Sequence, residues 1–436
     1  LDQSVVIRQG TLLSRISNLR APSLLWSSGF LFCAFYVMTT IGFLTTNHAS
    51  RVLVTPIRAV AIGAVIVGLA YSLLTRQIPR ASVISVPLYL FTLLLGLGLG
   101  LFNGSFDKVS EGFSQHLLVC SIGLMVVSGV RAEDWDLSIP RFVVLYSICC
   151  ALALWAVGAM EADFPPRFLY EYTADKEGAV VNYSQEVSRL FGYAAIAACA
   201  ILLRRLQSRV SGATLAALVV GFLSLSLIGG GRGDSLGAVM VVILALVWAR
   251  PLLTALVFIT AGVSLVLFVG PFDELWRELM IVNRILETLD GDLGQRDILL
   301  RQSIDLLVAE PRCALLGCGL GFFQHFYALP WYGYPHNFIA EMCITYGLVF
   351  TMVFLVVLGL AFLSFVRSSG LTCFASLLFI YTLIISMKSF DIVTNWFLMV
   401  FSFYFIGRWI AEALSRTRPD RVDNRVPSSM RPTQGV

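Results

Sequence analysis

The sequence predicts an all-α, polytopic membrane protein of about twelve transmembrane helices joined by one long helical outer loop, and three observations predict it. Hydrophobic residues make up 57% of the 436 and charged residues 13%, with a mean hydropathy of +0.81. Soluble domains carry roughly 25% charge, so a water-soluble protein is excluded. The 31 Lys and Arg and 27 Asp and Glu gather in short islands between long apolar runs. Most of these runs approach the roughly 20 residues that a helix needs to cross a bilayer. The net charge of +4 is small and says nothing about nucleic acid; the apolar runs imply the lipid bilayer as a partner, and no nucleic-acid partner is expected.

The apolar windows place spans near 24–44, 59–75, 81–102, 113–130, 142–160, 190–203, 213–229, 235–249, 252–270, 337–363, 371–387 and 392–407. The sixth to eighth are short, which leaves room for one re-entrant pair. The chain thus divides into an N-terminal segment 1–23, nine spans over 24–270, an outer loop 271–336, three spans over 337–407 and a tail 408–436. Residues 1–23 carry Arg8, Arg15 and Arg20 but no apolar core of signal-peptide length, so no cleavable leader is expected. With the N-terminus in the cytoplasm, the inner segments collect 18 basic against 7 acidic residues and the outer ones 13 against 20. This asymmetry follows the positive-inside rule and puts both termini in the cytoplasm. The tail, with Arg408, Arg416, Arg418, Arg421, Arg425 and Arg431, reads as a disordered basic end that contacts anionic lipid.

Two outer segments are too long for simple turns: an acidic one over 161–189 and the 66 residues of 271–336. The second holds two amphipathic stretches, Leu275–Leu289 and Arg296–Pro311. In the latter Ile298, Leu299, Ile304, Leu307 and Val308 share one side, opposite Arg296, Asp297, Arg301 and Asp305, and Pro311 ends it. A helix lying on the membrane surface accounts for this pattern and is compatible with a site at its start. Gly317, Gly319 and Gly321 read as a tight turn before a re-entrant segment. Cys313 and Cys318 fall in this polar loop and could pair in an oxidising compartment. Because nothing else looks disulfide-stapled, free thiols are the expectation. The four His are scattered, with no metal-ligand spacing, and the chain has no GxxxxGK[ST] phosphate loop. Neither a cofactor nor a protein-held metal is expected.

Three places combine polar groups with Gly or Pro at a predicted outer face: Gly229–Asp234 (GGGRGD), Gly294–Asp297 (GQRD) and Tyr332–Phe338 (YGYPHNF). Arg232 is costly beside two apolar helices unless it is a solvated turn residue or binds an anion, helped by amides that the neighbouring glycines free. His336 has the side chain suited to take a proton from a hydroxyl at neutral pH, and Asn337 or Tyr334 could orient the ring or a substrate. A lone His is more often structural, which leaves both readings open.

The order of these motifs, from GGGRGDSLG through GQRDILLRQ and LLGCGLGFF to PHNFIAEMCITYG, resembles the O-antigen ligase and polymerase family of bacterial envelope glycosyltransferases. The similarity covers about residues 220 to 365. It implies a GT-C-like fold in the bacterial inner membrane with the active site on the periplasmic face. It also implies that Arg232 and Arg296 grip the pyrophosphate of an undecaprenyl-linked glycan while His336 deprotonates the acceptor hydroxyl. Apart from the resemblance, Arg189, Arg284 and Arg301 are second-choice anion ligands, and Arg189, at the end of the acidic loop, could close over the donor. The acceptor is lipid A-core for a ligase or another lipid-linked repeat for a polymerase. The chain departs from the family pattern at Leu300, Thr345 and Phe350, where an aromatic, an acidic residue and a glycine are common. A secondary transporter or lipid-linked glycan flippase is the rival class and predicts the key polar residues near mid-membrane; a structural or receptor role is the third.

Overall fold

A computed structural model describes residues 28–44, 48–75, 78–105, 108–158, four short pieces between 160 and 181, 185–205, 209–229, 231–251, 295–330, 333–389, 392 and 395–417. The predicted ninth span, the amphipathic stretch 275–289 with Arg284, and most of both terminal segments lie outside the described residues.

Eleven of the twelve predicted spans are helices. They are α1 (Ser28–Thr40), which runs on as a 3-10 turn to Leu44, α2 (His48–Leu74), α3 (Arg80–Phe102), α4 (Ser110–Gly129) and α5 (Ile139–Ala156). Next come α6 (Gln185–Arg205), α7 (Arg209–Ile228) and α8 (Arg232–Ala249). The predicted outer loop supplies α9 (Gln295–Ala309), α10 (Pro311–Leu316) and α11 (Phe322–Phe326). Three more spans close the chain: α12 (Phe338–Ser369), α13 (Phe374–Ser389) and α14 (Trp396–Arg416). Among the described residues six helices are long and apolar enough to cross a membrane, and five shorter apolar ones accompany them. The protein is therefore a multi-pass helical membrane protein. Two antiparallel ladders, each of two-residue strands, lie in the acidic segment between α5 and α6: Met160–Glu161 with Arg167–Phe168, and Tyr170–Glu171 with Val180–Val181.

The core runs along α6 and α14. Leu190 to Ala200 of α6 and Phe397 to Gly407 of α14 are almost wholly buried. Two features of the sequence produce this. In α6 the small residues Gly192, Ala194, Ala195, Ala197 and Ala198 let neighbouring helices approach closely. In α14 large rings fill the gaps, and Tyr36, Tyr193, Tyr381 and Phe397 meet mostly edge to face around them.

The glycine turn between α10 and α11 is clamped between two helices. Cys318 and Gly319 donate backbone hydrogen bonds to Ile344 and Thr345 of α12 (2.7 and 3.0 Å), and Leu320 donates to Gly96 of α3 (2.9 Å). Asn103 and Ser105 bond the carbonyls of Cys318 and Leu320. Gly317, Gly319 and Gly321 all have positive φ, and a Cβ on Gly319 would overlap the amide nitrogen of Gly100. Opposite them α12 is kinked at Gly347, whose φ is +83°. The turn leads into the five-residue α11. The expectation of free thiols at Cys313 and Cys318 is also corrected. The short helix opened by Pro311 and the positive-φ turn at Gly317 bring the two Cα atoms to 4.9 Å, and the sulfurs are bonded.

The faces of α9 differ from the predicted ones. Leu299 and Leu307 pack with Leu306 on Phe323 and Ile344, whereas Ile298, Ile304 and Val308 are exposed. Pro311 both follows the end of α9 and opens α10.

Candidate functional site

The three polar motifs meet at one end of the bundle. Each lies at or just before the start of a helix: Arg232 is the first residue of α8, Arg296 the second of α9, and His336 stands two residues before α12.

The GGGRGD turn is held against α6. Gly231 donates its amide to Ser188 Oγ (2.9 Å), Ser226 Oγ donates to the Ser188 carbonyl (2.7 Å) and Ser235 Oγ to the Ser226 carbonyl (2.7 Å). A Cβ on Gly231 would come within 2.9 Å of Ser188. The glycines thus permit close packing, and the Gly231 amide is already taken and does not face an anion. Asp234, 1% exposed, accepts from Arg189 Nε at 2.9 Å. Arg189, predicted at the end of a loop, instead sits in the first turns of α6, 8% exposed and over the Phe43 ring. Its geometry is that of a buried anchor that ties α8 to α6, and its guanidinium is engaged there.

On the other side, Asn337 caps α12 by accepting from the Ala340 amide (3.0 Å), and its Nδ2 donates to the Met387 carbonyl at the end of α13 (3.3 Å). The next residue, Lys388, reaches α8: a Cβ on Gly233 would lie 2.9 Å from its Cδ and 3.4 Å from its Nζ. The end of α13 therefore bridges the Arg232 turn and the His336 turn. Glu341, one turn into α12, accepts from the Ile392 amide at 2.9 Å.

His336 adopts φ +54°, a left-handed conformation uncommon for a residue with a side chain. Pro335 before it and the Asn337 cap after it hold the backbone there. Its ring lies 4.1 Å from that of Tyr334, centroid to centroid. Nδ1 is buried and has no hydrogen-bond partner among the described residues. Burial, and next the Arg296 charge, pull the imidazole down to about 4, so it is neutral at pH 7. Arg296 is partly buried on α9, whereas Arg301 is exposed on another face of that helix. Of the residues predicted from sequence, the structure brings together His336, Tyr334, Asn337 and Arg296, with the start of α8 linked to them through Lys388. Arg301 stays apart, Arg284 lies outside the described residues, and so does the side chain of Arg232.

Lys388 and Ser188 were not predicted. Lys388 has one available signal, a lone cation at the outer end of an apolar span; Ser188 has none.

A constellation of a neutral, partly buried imidazole, an adjacent guanidinium and an ammonium at the end of a helix bundle can do two things. It can accept a proton from a hydroxyl, and it can hold a phosphate-bearing group beside it. No family model matches the chain, and no curated protein matches it.

Proposed function

We propose that this chain is an inverting, metal-independent membrane glycosyltransferase of the O-antigen ligase type. It moves an undecaprenyl-pyrophosphate-linked glycan to an acceptor hydroxyl on the periplasmic face. The observation that carries the reading is the placement of His336 beside Arg296, bridged through Asn337 and Lys388 to the α8 turn. In the proposed step His336 takes the proton of the acceptor hydroxyl as its oxygen attacks the anomeric carbon. The bond from that carbon to the pyrophosphate oxygen breaks, and its electron pair leaves with the lipid pyrophosphate. Arg296 and Lys388, with Arg232 as the resemblance implies, are assigned to stabilise the growing charge; Arg supplies a permanent planar cation and bidentate hydrogen bonds. Attack opposite the leaving group inverts the anomeric centre and needs no covalent intermediate. The acceptor is lipid A-core in this reading, with a second lipid-linked repeat, as in a polymerase, next. A transporter is less well supported, because these groups stand at helix starts and not at mid-span.

The test is transfer by purified protein in EDTA, with a lipid-linked glycan donor and each acceptor in turn. Product with lipid A-core supports the ligase, and product with a lipid-linked repeat supports the polymerase. Donor movement across a bilayer without product would overturn the enzyme in favour of a transporter.

A further inference from the structure

At the opposite end of the bundle from His336, a cavity of about 430 Å³ opens between α2, α3 and α4. That size is in the range of small-molecule pockets, roughly 300–1,000 Å³. Its walls include Leu31, Leu73, Val83 and Val86, with Ser82 within and Arg131 at the end of α4. Three polar features set it apart from an ordinary lipid-facing groove. Ser82 is 3% exposed, yet its hydroxyl has no hydrogen-bond partner among the described residues. Ser85, one turn later, bonds the carbonyl four residues back; Ser82 follows Pro79 at the start of α3, where the helix offers no such carbonyl. Pro87 lies inside α3 and has no amide hydrogen, so the Val83 carbonyl lacks its i+4 donor. Among the described residues Arg131 pairs with Glu133, at 3.5 Å with both side chains 75% exposed, a contact weak enough for a phosphate to displace.

The charge asymmetry puts this end of the bundle at the cytoplasmic surface, where anionic lipids attract basic side chains. We propose that the cavity binds an anionic glycerophospholipid of the cytoplasmic leaflet. One acyl chain lies along the apolar wall, the phosphate sits on Arg131, and Ser82 donates to an oxygen of the headgroup region. The site is remote from the proposed transfer centre and does not rest on that reaction.

Native mass spectrometry of the full chain tests this, with phosphatidylglycerol and phosphatidylethanolamine offered at equal concentration. A surface cation contributes about 1 kcal/mol, so the wild type should retain phosphatidylglycerol about fivefold better. Arg131→Gln should bring the ratio close to one. Val83→Trp, at a position 61% exposed, should fill the mouth and lower retention of both lipids at least fivefold. Equal retention of the two lipids by the wild type would overturn the proposal. So would an Arg131→Gln protein that keeps the preference, or a folded Val83→Trp protein that binds as the wild type does. Should Val83→Trp fail to fold, the Arg131→Gln ratio alone decides.

Discussion

At the scale of single residues, His336 carries the most specific expectation. Its imidazole is held low, at about 4, by burial and by Arg296. The base-competent neutral form is therefore present above that pH and is lost as pH falls through it. The acid limb of kcat/KM for transfer should lie near pH 4, well below the ordinary 6.5 of a histidine. Once a pyrophosphate neutralises Arg296, the imidazole is less disfavoured as a cation, so the acid limb of kcat should lie higher. A pH series of initial rates measures both. Asn337→Ala should remove a helix cap, about 1 kcal/mol, and free the His336 turn from Met387, with transfer falling on the order of tenfold or more. His336, Arg296 and Asn337 were legible in the sequence because Pro, Gly and polar groups interrupt apolar runs there. Lys388 was not legible as part of the site, since its neighbour across the site, Gly233, is remote in sequence. The sulfur pairing was misread because the geometry that brings Cys313 to Cys318 is set by the turn at Gly317.

At the scale of elements, two junctions hold the site. Asp234→Ala would leave the Arg189 guanidinium buried without its carboxylate. Breaking one partner of such a pair costs roughly 3–5 kcal/mol, and a large fall in thermal midpoint in detergent is the expected result. Gly319→Ala would place a methyl on the Gly100 amide at φ +91°. A severe loss of folded protein on size exclusion is expected, beyond the roughly 1–3 kcal/mol of backbone strain alone. The existence of the described spans was readable from apolar length; Arg80–Phe102 and Ser110–Gly129 fall within three residues of expectation, whereas His48–Leu74 begins eleven residues before the predicted 59. The orientation of α9 was not. Its apolar residues lie on two faces, one for Phe323 and Ile344 and one exposed, and a periodicity sums over both. The glycine turn was recognised as a turn, but its seat between α3 and α12 depends on backbone pairing that no local pattern encodes.

At the scale of the whole molecule, the composition fixed the class and the charge asymmetry gave a sidedness that an experiment can check. A disulfide persists where the loop is outside the reducing cytoplasm. Cells quenched in acid, blocked with N-ethylmaleimide, then reduced and treated with a polyethylene-glycol maleimide should show two added tags, from Cys313 and Cys318. The other seven cysteines are free and take the first reagent. No added tag would place the loop on the reducing side and reverse the orientation. That orientation matters to the proposed function, which needs His336 and Arg296 on the face where a lipid-linked donor, already activated, supplies the sugar.

The central claim is that His336 is the base of a glycosyl transfer, and single-turnover transfer by His336→Ala, with donor binding measured on the same preparation, tests it most directly. General-base catalysis contributes typically 10²–10⁴-fold. The variant should bind the lipid-pyrophosphate donor within about twofold of wild type and transfer at least about a hundredfold more slowly. Transfer at the wild-type rate by a variant that binds donor normally would contradict the account.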